Sequence, residues 1–160
     1  MDFRKIEWTD EVILDFWRYW STRPDEYFSE AFGDTIIRFT RDHSGPIGKA
    51  LDFGAGTGGL LAALSRHNIH CWGVDFGQDA INSLTARFTD DQNVMEIFSP
   101  DQVSVYGNSF DTVFLIETIE HMPDRHLIPS LNNVFAMLKS GGTLVISTPN
   151  DEDLSAAEVY

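Results

Sequence analysis

At 160 residues the chain is about one domain long, and with 42% hydrophobic and 22% charged residues it is too apolar to remain disordered. Eleven Lys and Arg against twenty-five Asp and Glu give a net charge of −14, which repels phosphate backbones and anionic lipid heads and ranks nucleic acid and membrane low as partners. Cys71 is the only cysteine, no apolar run approaches a membrane span, and the start M-D-F-R-K-I-E-W has no apolar leader segment; together these predict a cytoplasmic domain without a disulfide.

In chain order, residues 9–20 predict a helix. Thr9 caps it, acids occupy its first turn, and Val12, Ile13, Phe16, Trp17 and Trp20 share one face. Thr22–Pro24 breaks it, helical stretches follow around 24–32 and 35–41, and H-S-G-P-I-G (43–48) reads as a loop. From Lys49 the pattern alternates. Strands are predicted at Ala50–Phe53, His70–Phe76, Val94–Phe98, Thr112–Ile116 and Thr143–Thr148. Helical stripes lie between them at Leu60, Leu61 and Leu64, at Ile81, Leu84 and Phe88, and at Leu131, Val134, Phe135 and Leu138, the last ended by Gly141-Gly142. Only the link from third to fourth strand shows no stripe. Strands alternating with helices imply an α/β fold: a Rossmann-like, doubly wound, mostly parallel sheet preceded by N-terminal helices. The division expected is a helical cap at 1–48, an α/β core at 49–150 and an acidic tail at 151–160, where the chain is expected to be cut short of a complete sheet.

The glycine turn carries the most chemistry. L-D-F-G-A-G-T-G-G (51–59) ends the first predicted strand and opens a helix, so bare backbone and free N–H groups face a ligand. Asp75 ends the second strand, placed to accept hydrogen bonds from two ribose hydroxyls. A plain tight turn is the simpler alternative; the added acid favours a nucleoside-containing cofactor. Gly54, Gly56 and Gly59 fit the dinucleotide pattern G-x-G-x-x-G, while Gly54, Gly56 and Gly58 fit G-x-G-x-G. Asp52 weighs against a pyrophosphate and for a cationic ligand, such as the ammonium and sulfonium of S-adenosylmethionine.

From about Lys49 to Asn150 the sequence resembles the class I S-adenosylmethionine-dependent methyltransferases. The likeness lies in L-D-F-G-A-G-T-G (51–58), G-V-D-F (73–76), N-S-F-D-T-V-F-L-I-E-T-I-E-H-M-P-D (108–124) and L-K-S-G-G-T-L-V-I-S-T-P-N (138–150), in that order. The resemblance implies that Asp52, Gly54, Gly56 and Gly58 face the methionine part of the cofactor. It implies Asp75 on the ribose, Phe76 beside the adenine, Ser99 near the adenine edge and Ile116 lining the cleft. The family's sheet normally has two further strands.

E-T-I-E-H (117–121) follows the fourth strand at the ligand-binding end of the sheet. His121 is the candidate base for a hydroxyl acceptor. The segment looks like that of some metal-using O-methyltransferases, which would make Glu117, Glu120 and His121 cation ligands; no fourth ligand is evident, the candidates being His126 or a residue beyond Tyr160. A loop-capping role for these residues is the reading preferred, with no metal. Trp8, Tyr19, Tyr27 and Phe28 form either an aromatic lid or helix packing, Trp17 and Trp20 are assigned to helix packing, and Cys71 to the core. The expectation is a methyltransferase acting on a small molecule. Its rivals are an NAD-dependent oxidoreductase and a cofactor-binding fragment without activity.

Overall fold

The hydrophobic periods fold into one sheet wrapped by helices. The computed structural model describes residues 9–20 and 28–149. Helices α1 (Asp10–Trp20) and α2 (Phe28–Ser44) precede β1 (Ala50–Phe53), α3 (Gly59–Arg66), β2 (Cys71–Val74), α4 (Gln78–Arg87) and β3 (Val94–Phe98). A 3-10 segment (Pro100–Tyr106) leads to β4 (Phe110–Ile116), a 3-10 turn (Ile119–His121), α5 (Asp124–Met137) and β5 (Leu138–Ser147). All pairings are parallel, in the order β3-β2-β1-β4-β5. The chain steps outward from β1 to β3 and then returns to lay β4 on the other side of β1. That reversal opens a crevice above the carboxyl ends of β1 and β4, where ligands bind in such sheets. The architecture is the predicted doubly wound one.

Helices cover both faces, so β1 is buried at all four positions and β4 at six of seven. On one face Ile37 of α2, Leu60, Leu61 and Leu64 of α3 and Leu84 of α4 pack on Ala50, Cys71 and Phe114. On the other, Val134 and Met137 of α5 and Val103 of the 3-10 segment pack on Leu51, Phe53, Val113 and Leu115. The period of two sends Ala50 and Leu51 to opposite faces, which puts Asp52 on the face of Ala50 at the crevice end of β1. Helices α2 and α3 approach so closely that a Cβ on Gly59 would stand 2.5 Å from the backbone nitrogen of Glu30.

Several elements depart from expectation. The stretches expected at 24–32 and 35–41 are, within the described residues, one helix, because the intervening Gly33 packs on Ala63 instead of breaking the turn. The link from β3 to β4 is 3-10, whose period of three leaves no 3.6-residue stripe to detect. Helix α5 stops at Met137 and passes directly into β5. Leu138 therefore belongs to the strand, and Gly141-Gly142 lie inside β5, where its pairing with β4 shifts register between Phe110 and Thr112. The buried face of α5 is Ser130, Val134 and Met137, while Phe135 is 82% exposed. Thr9 caps α1 as expected, its Oγ1 accepting the Val12 N–H at 3.3 Å. Trp8, Tyr27, residues 24–26, the side chains of Trp17 and Trp20, and residues 151–160 lie outside the described residues.

Replacing Gly59 with Ala should force α2 away from α3 and cost ~1–3 kcal/mol in urea unfolding. Gly107→Ala, where the nearest atom to a new Cβ is 3.9 Å away, should change stability little.

Candidate functional site

Strand β1 delivers Asp52 into the crevice, where only 3% of its surface remains accessible. Burial, with the Asp75 carboxylate as a second cause, pushes the Asp52 carboxyl up to about 7. Asp75 lies just beyond β2. Its Oδ2 accepts the Gly56 N–H at 2.9 Å and its Oδ1 the Gly77 N–H at 3.2 Å. Burial raises its pKa, and these backbone N–H groups pull it back. Neither acid is offset by a cation among the described residues. A buried acid beside a half-buried one, both unneutralised, is costly in isolation and suits a ligand that brings positive charge and hydroxyl donors.

The glycine turn joins the two acids. Gly54 and Gly58 both sit at φ +91°, in the left-handed region open to glycine. A Cβ on Gly54 would stand 2.5 Å from the Thr118 side chain, and one on Gly58 2.6 Å from the Phe88 ring. Their bareness thus admits the protein's own side chains as well as shaping the loop. The residue before α3 is Gly58, which offers no side chain to cap the helix, so its first-turn N–H groups have no side-chain partner there. Phe76, next to Asp75, is 47% exposed and meets Phe53 edge-on at 5.7 Å. The Asp75 N–H donates to Phe98 O at 3.2 Å, bringing Ser99 beside the same crevice. The Ser99 hydroxyl is already engaged with Asp101 and with Gln102 in the cap of the 3-10 segment. Ile116 is buried at the end of β4, in the cluster behind the turn.

Glu117 takes a left-handed φ of +50° as it leaves β4. It is held there by Ser147 of β5: the Glu117 N–H donates to Ser147 O at 3.1 Å, and the Ser147 hydroxyl donates to Glu117 Oε1 at 2.8 Å. Burial, and then the nearby Glu117, raise the Glu120 carboxyl. His121 Nε2 lies 3.9 Å from Glu120 Oε1, and burial lowers the His121 pKa, with Glu117 opposing. Among the described residues, no three His, Cys, Asp or Glu side chains are gathered as a metal site. His126, weighed as a fourth ligand, is turned to α1, its Nε2 2.9 Å from Asp10 Oδ1.

Helix α1 spans this end of the sheet. Asp10 pairs with Arg125 at 2.6 Å on α5, Arg18 lies 3.6 Å from Asp79 on α4, and the Phe16 ring stands 6.1 Å from that of His121. Thr118 and Ser147 were missed by sequence reasoning. Thr118 carries no signal of its own, since its role is to fill the space that Gly54 leaves; Ser147 lies within the 138–150 motif but read as an ordinary strand residue.

Because the folded pKa of Asp52 stands above its ordinary 3.8, the native state binds the proton more tightly than the unfolded chain. Stability should therefore fall as pH rises from about 4 to about 7, by up to ~4 kcal/mol at ~1.4 kcal/mol per pKa unit. Urea titrations across that window should show the slope flattened in Asp52→Asn. An unchanged slope in the variant would place the titration elsewhere.

The comparisons with known proteins agree with this geometry. The family described as Methyltransferase domain matches residues 19–159. Ubiquinone biosynthesis O-methyltransferases are similar: that of Xanthomonas campestris is 31% identical over 110 residues, covering 66% of this chain and 44% of its own. That of Psychrobacter arcticus is 29% identical over 108 residues, covering 64% and 41%. The chain thus spans less than half the length of these curated relatives. Among solved structures, a Pyrococcus horikoshii protein superposes with a TM-score of 0.67 at 21% identity, covering 81% of this chain and 64% of that one. An S-adenosylmethionine-dependent methyltransferase from Archaeoglobus fulgidus does so with 0.62 at 22%, covering 82% and 58%. The dinucleotide reading of Gly54, Gly56 and Gly59, and with it the oxidoreductase, gives way to a family match that runs through the whole sheet. With the acid pair, the glycine turn and the sheet order in agreement, this chain belongs to the class I S-adenosylmethionine-dependent methyltransferase family.

Proposed function

We propose that this chain holds S-adenosylmethionine over the carboxyl ends of β1 and β2 and serves methyl transfer to the oxygen of a small hydroxyl-bearing acceptor. The observation that carries the reading is the pair of buried Asp52 and half-buried Asp75 at one glycine turn, which Asp52 precedes and Asp75 binds, with no counter-cation among the described residues. In this reading Asp52 and the backbone of Gly54, Gly56 and Gly58 take the methionine part. Asp75 accepts the ribose hydroxyls with the lone pairs that Gly56 and Gly77 leave free, Phe76 covers the adenine, Ser99 borders its edge through its backbone, and Ile116 backs the cleft. The cofactor supplies a methyl group on a positively charged sulfur.

The acceptor oxygen must lose a proton, and His121 is the group to take it. Its lowered pKa keeps the imidazole neutral at neutral pH, with Glu120 close enough to steady the cation that forms. The name printed for the relatives, an O-methyltransferase, supports oxygen as the attacked atom. Helix α1 acts as a cap, drawn over the site by its ion pairs to α4 and α5, which excludes water and orients the acceptor, while α2 packs with α3 on the sheet. The proposed setting is the cytoplasm, supported by a lone, buried cysteine; no described helix is long and apolar enough to cross a membrane.

Calorimetry with S-adenosylhomocysteine should show binding, and no heat with NAD. Asp52→Asn and Asp75→Ala should each weaken binding ~10-fold or more, the loss of about one charge-assisted contact. Full affinity in both variants would sink the reading.

In a transfer assay, His121→Ala should leave cofactor affinity unchanged and lower the rate ~100-fold or more. The wild-type rate should rise with pH through a value below the ordinary imidazole 6.5. Cofactor binding without transfer to any phenol or catechol would overturn the catalytic half and leave a cofactor-binding module.

A further inference from the structure

The opposite end of the sheet holds a second cleft, remote from the acid pair. Its volume is about 450 Å³, and it lies between the end of α2, the loop 46–49 and the turn 68–70, at the amino ends of β1, β2 and β4. Pro46, Ile47 and Ile69 give it an apolar wall, and Arg41, Lys49 and His70 line it.

Charge makes this cleft unusual. The chain carries twenty-five acids against eleven Lys and Arg. Among the described residues, Arg18, Arg66, Arg87, Arg125 and Lys139 each form an ion pair with a carboxylate. Arg38, Arg41 and Lys49 do not, and two of those three line the cleft. The one acid in the lining, Asp111, gives its Oδ1 to Lys139 Nζ at 2.6 Å and its Oδ2 to the Lys49 N–H at 2.8 Å; these bonds hold its carboxyl low, and the Lys49 charge is the smallest of the causes, so Asp111 only weakly offsets that ammonium. Arg41 donates from Nη1 to Nδ1 of His67 at 3.3 Å. A guanidinium has no acceptor atom, so His67 must accept there, which leaves its Nε2–H to donate to Asp34 at 2.9 Å. That partner is the in-plane lone pair of a ring nitrogen, which brings no negative charge to Arg41. The Lys49 ammonium lies 5.9 Å from the Trp72 ring centroid, the outer limit of a cation–π contact. Helix-end electrostatics explains Arg41, which lies in the last turn of α2, but not Lys49 or His70, which stand outside any helix.

We propose that this amino-end cleft is a binding site for a small anionic molecule, whose phosphate or carboxylate group pairs with Arg41 and Lys49 while its body rests on Pro46, Ile47 and Ile69. The site is separate from the cofactor crevice and does not depend on the methyltransferase reading.

The test is titration of the protein with inorganic phosphate and, separately, with citrate at constant ionic strength, read by amide chemical shifts. Saturable shifts confined to Gly48, Lys49, Asn68 and His70 are expected with at least one probe; phosphate alone identifies a phosphoryl ligand and citrate alone a carboxylate. Arg41→Gln and Lys49→Gln should each weaken binding ~10-fold, about one charge-assisted hydrogen bond, and neither exposed change should disturb folding. Arg38→Gln, on the same helix outside the cleft, should leave binding unchanged. Absence of saturable shifts with both probes, shifts confined to Gly54–Gly58, or equal weakening by Arg38→Gln would each overturn the proposal.

Discussion

The molecule is organised around two carboxyl groups, Asp52 and Asp75, that have no positive partner among the described residues. Asp52 is carried inward by β1 because the strand must alternate, and Ala50 on the same face is part of the core. Asp75 is held by two backbone N–H groups, one of them from the glycine turn that Asp52 precedes. Removing such groups from water costs free energy that folding alone does not return. That cost is the physical signature of a site built to be completed by something else.

The parallel sheet gives this arrangement a direction. Helix amino ends gather at the carboxyl ends of the strands, so the crevice offers backbone N–H groups as well as acids. Helix carboxyl ends gather at the other end, where Arg41, His43 and Arg66 lie in last turns. Two of the three described cations that form no ion pair, Arg41 and Lys49, therefore lie at the pole opposite Asp52 and Asp75. At the first pole α1 reaches α4 and α5 through exposed ion pairs. Exposed pairs contribute little each; beside them the Phe16 ring stands 6.1 Å from that of His121.

The Glu117–Ser147 link shows how a site is assembled across the switch point. A left-handed backbone at a non-glycine residue is uncommon, and here the hydrogen bonds to β5 hold it. Neighbouring Thr118 fills the space left by Gly54, so the end of β4 and the turn after β1 set one another's shape. The Glu120 and His121 side chains are presented on this doubly fixed corner.

How much of this was legible in the sequence differs by kind of interaction. Local rules carried β1 and β3 to the residue and placed the glycine turn and Asp75, because apolar period, turn residues and acid spacing are short-range properties. They faltered where a distant surface decided the outcome. Gly33 stays within a helix because Ala63 packs on it, and Phe135 falls on the outward side of α5 although its spacing suits a stripe. Gly141-Gly142 read as a helix stop, yet they lie within β5, at the register irregularity between the pairing of Leu138 and that of Thr143 with β4. By itself, then, the sequence determined the α/β class, the turn, the acids that flank it and the family resemblance, all of which rest on contacts within a few residues or on motif order. Only the tertiary structure decided that Asp75 binds the glycine loop that Asp52 precedes, with no cation beside either acid among the described residues, that Ser147 anchors Glu117 and that Arg41 and Lys49 share a cleft, since each joins residues 19 or more positions apart or on separate elements, and no local pattern encodes that meeting.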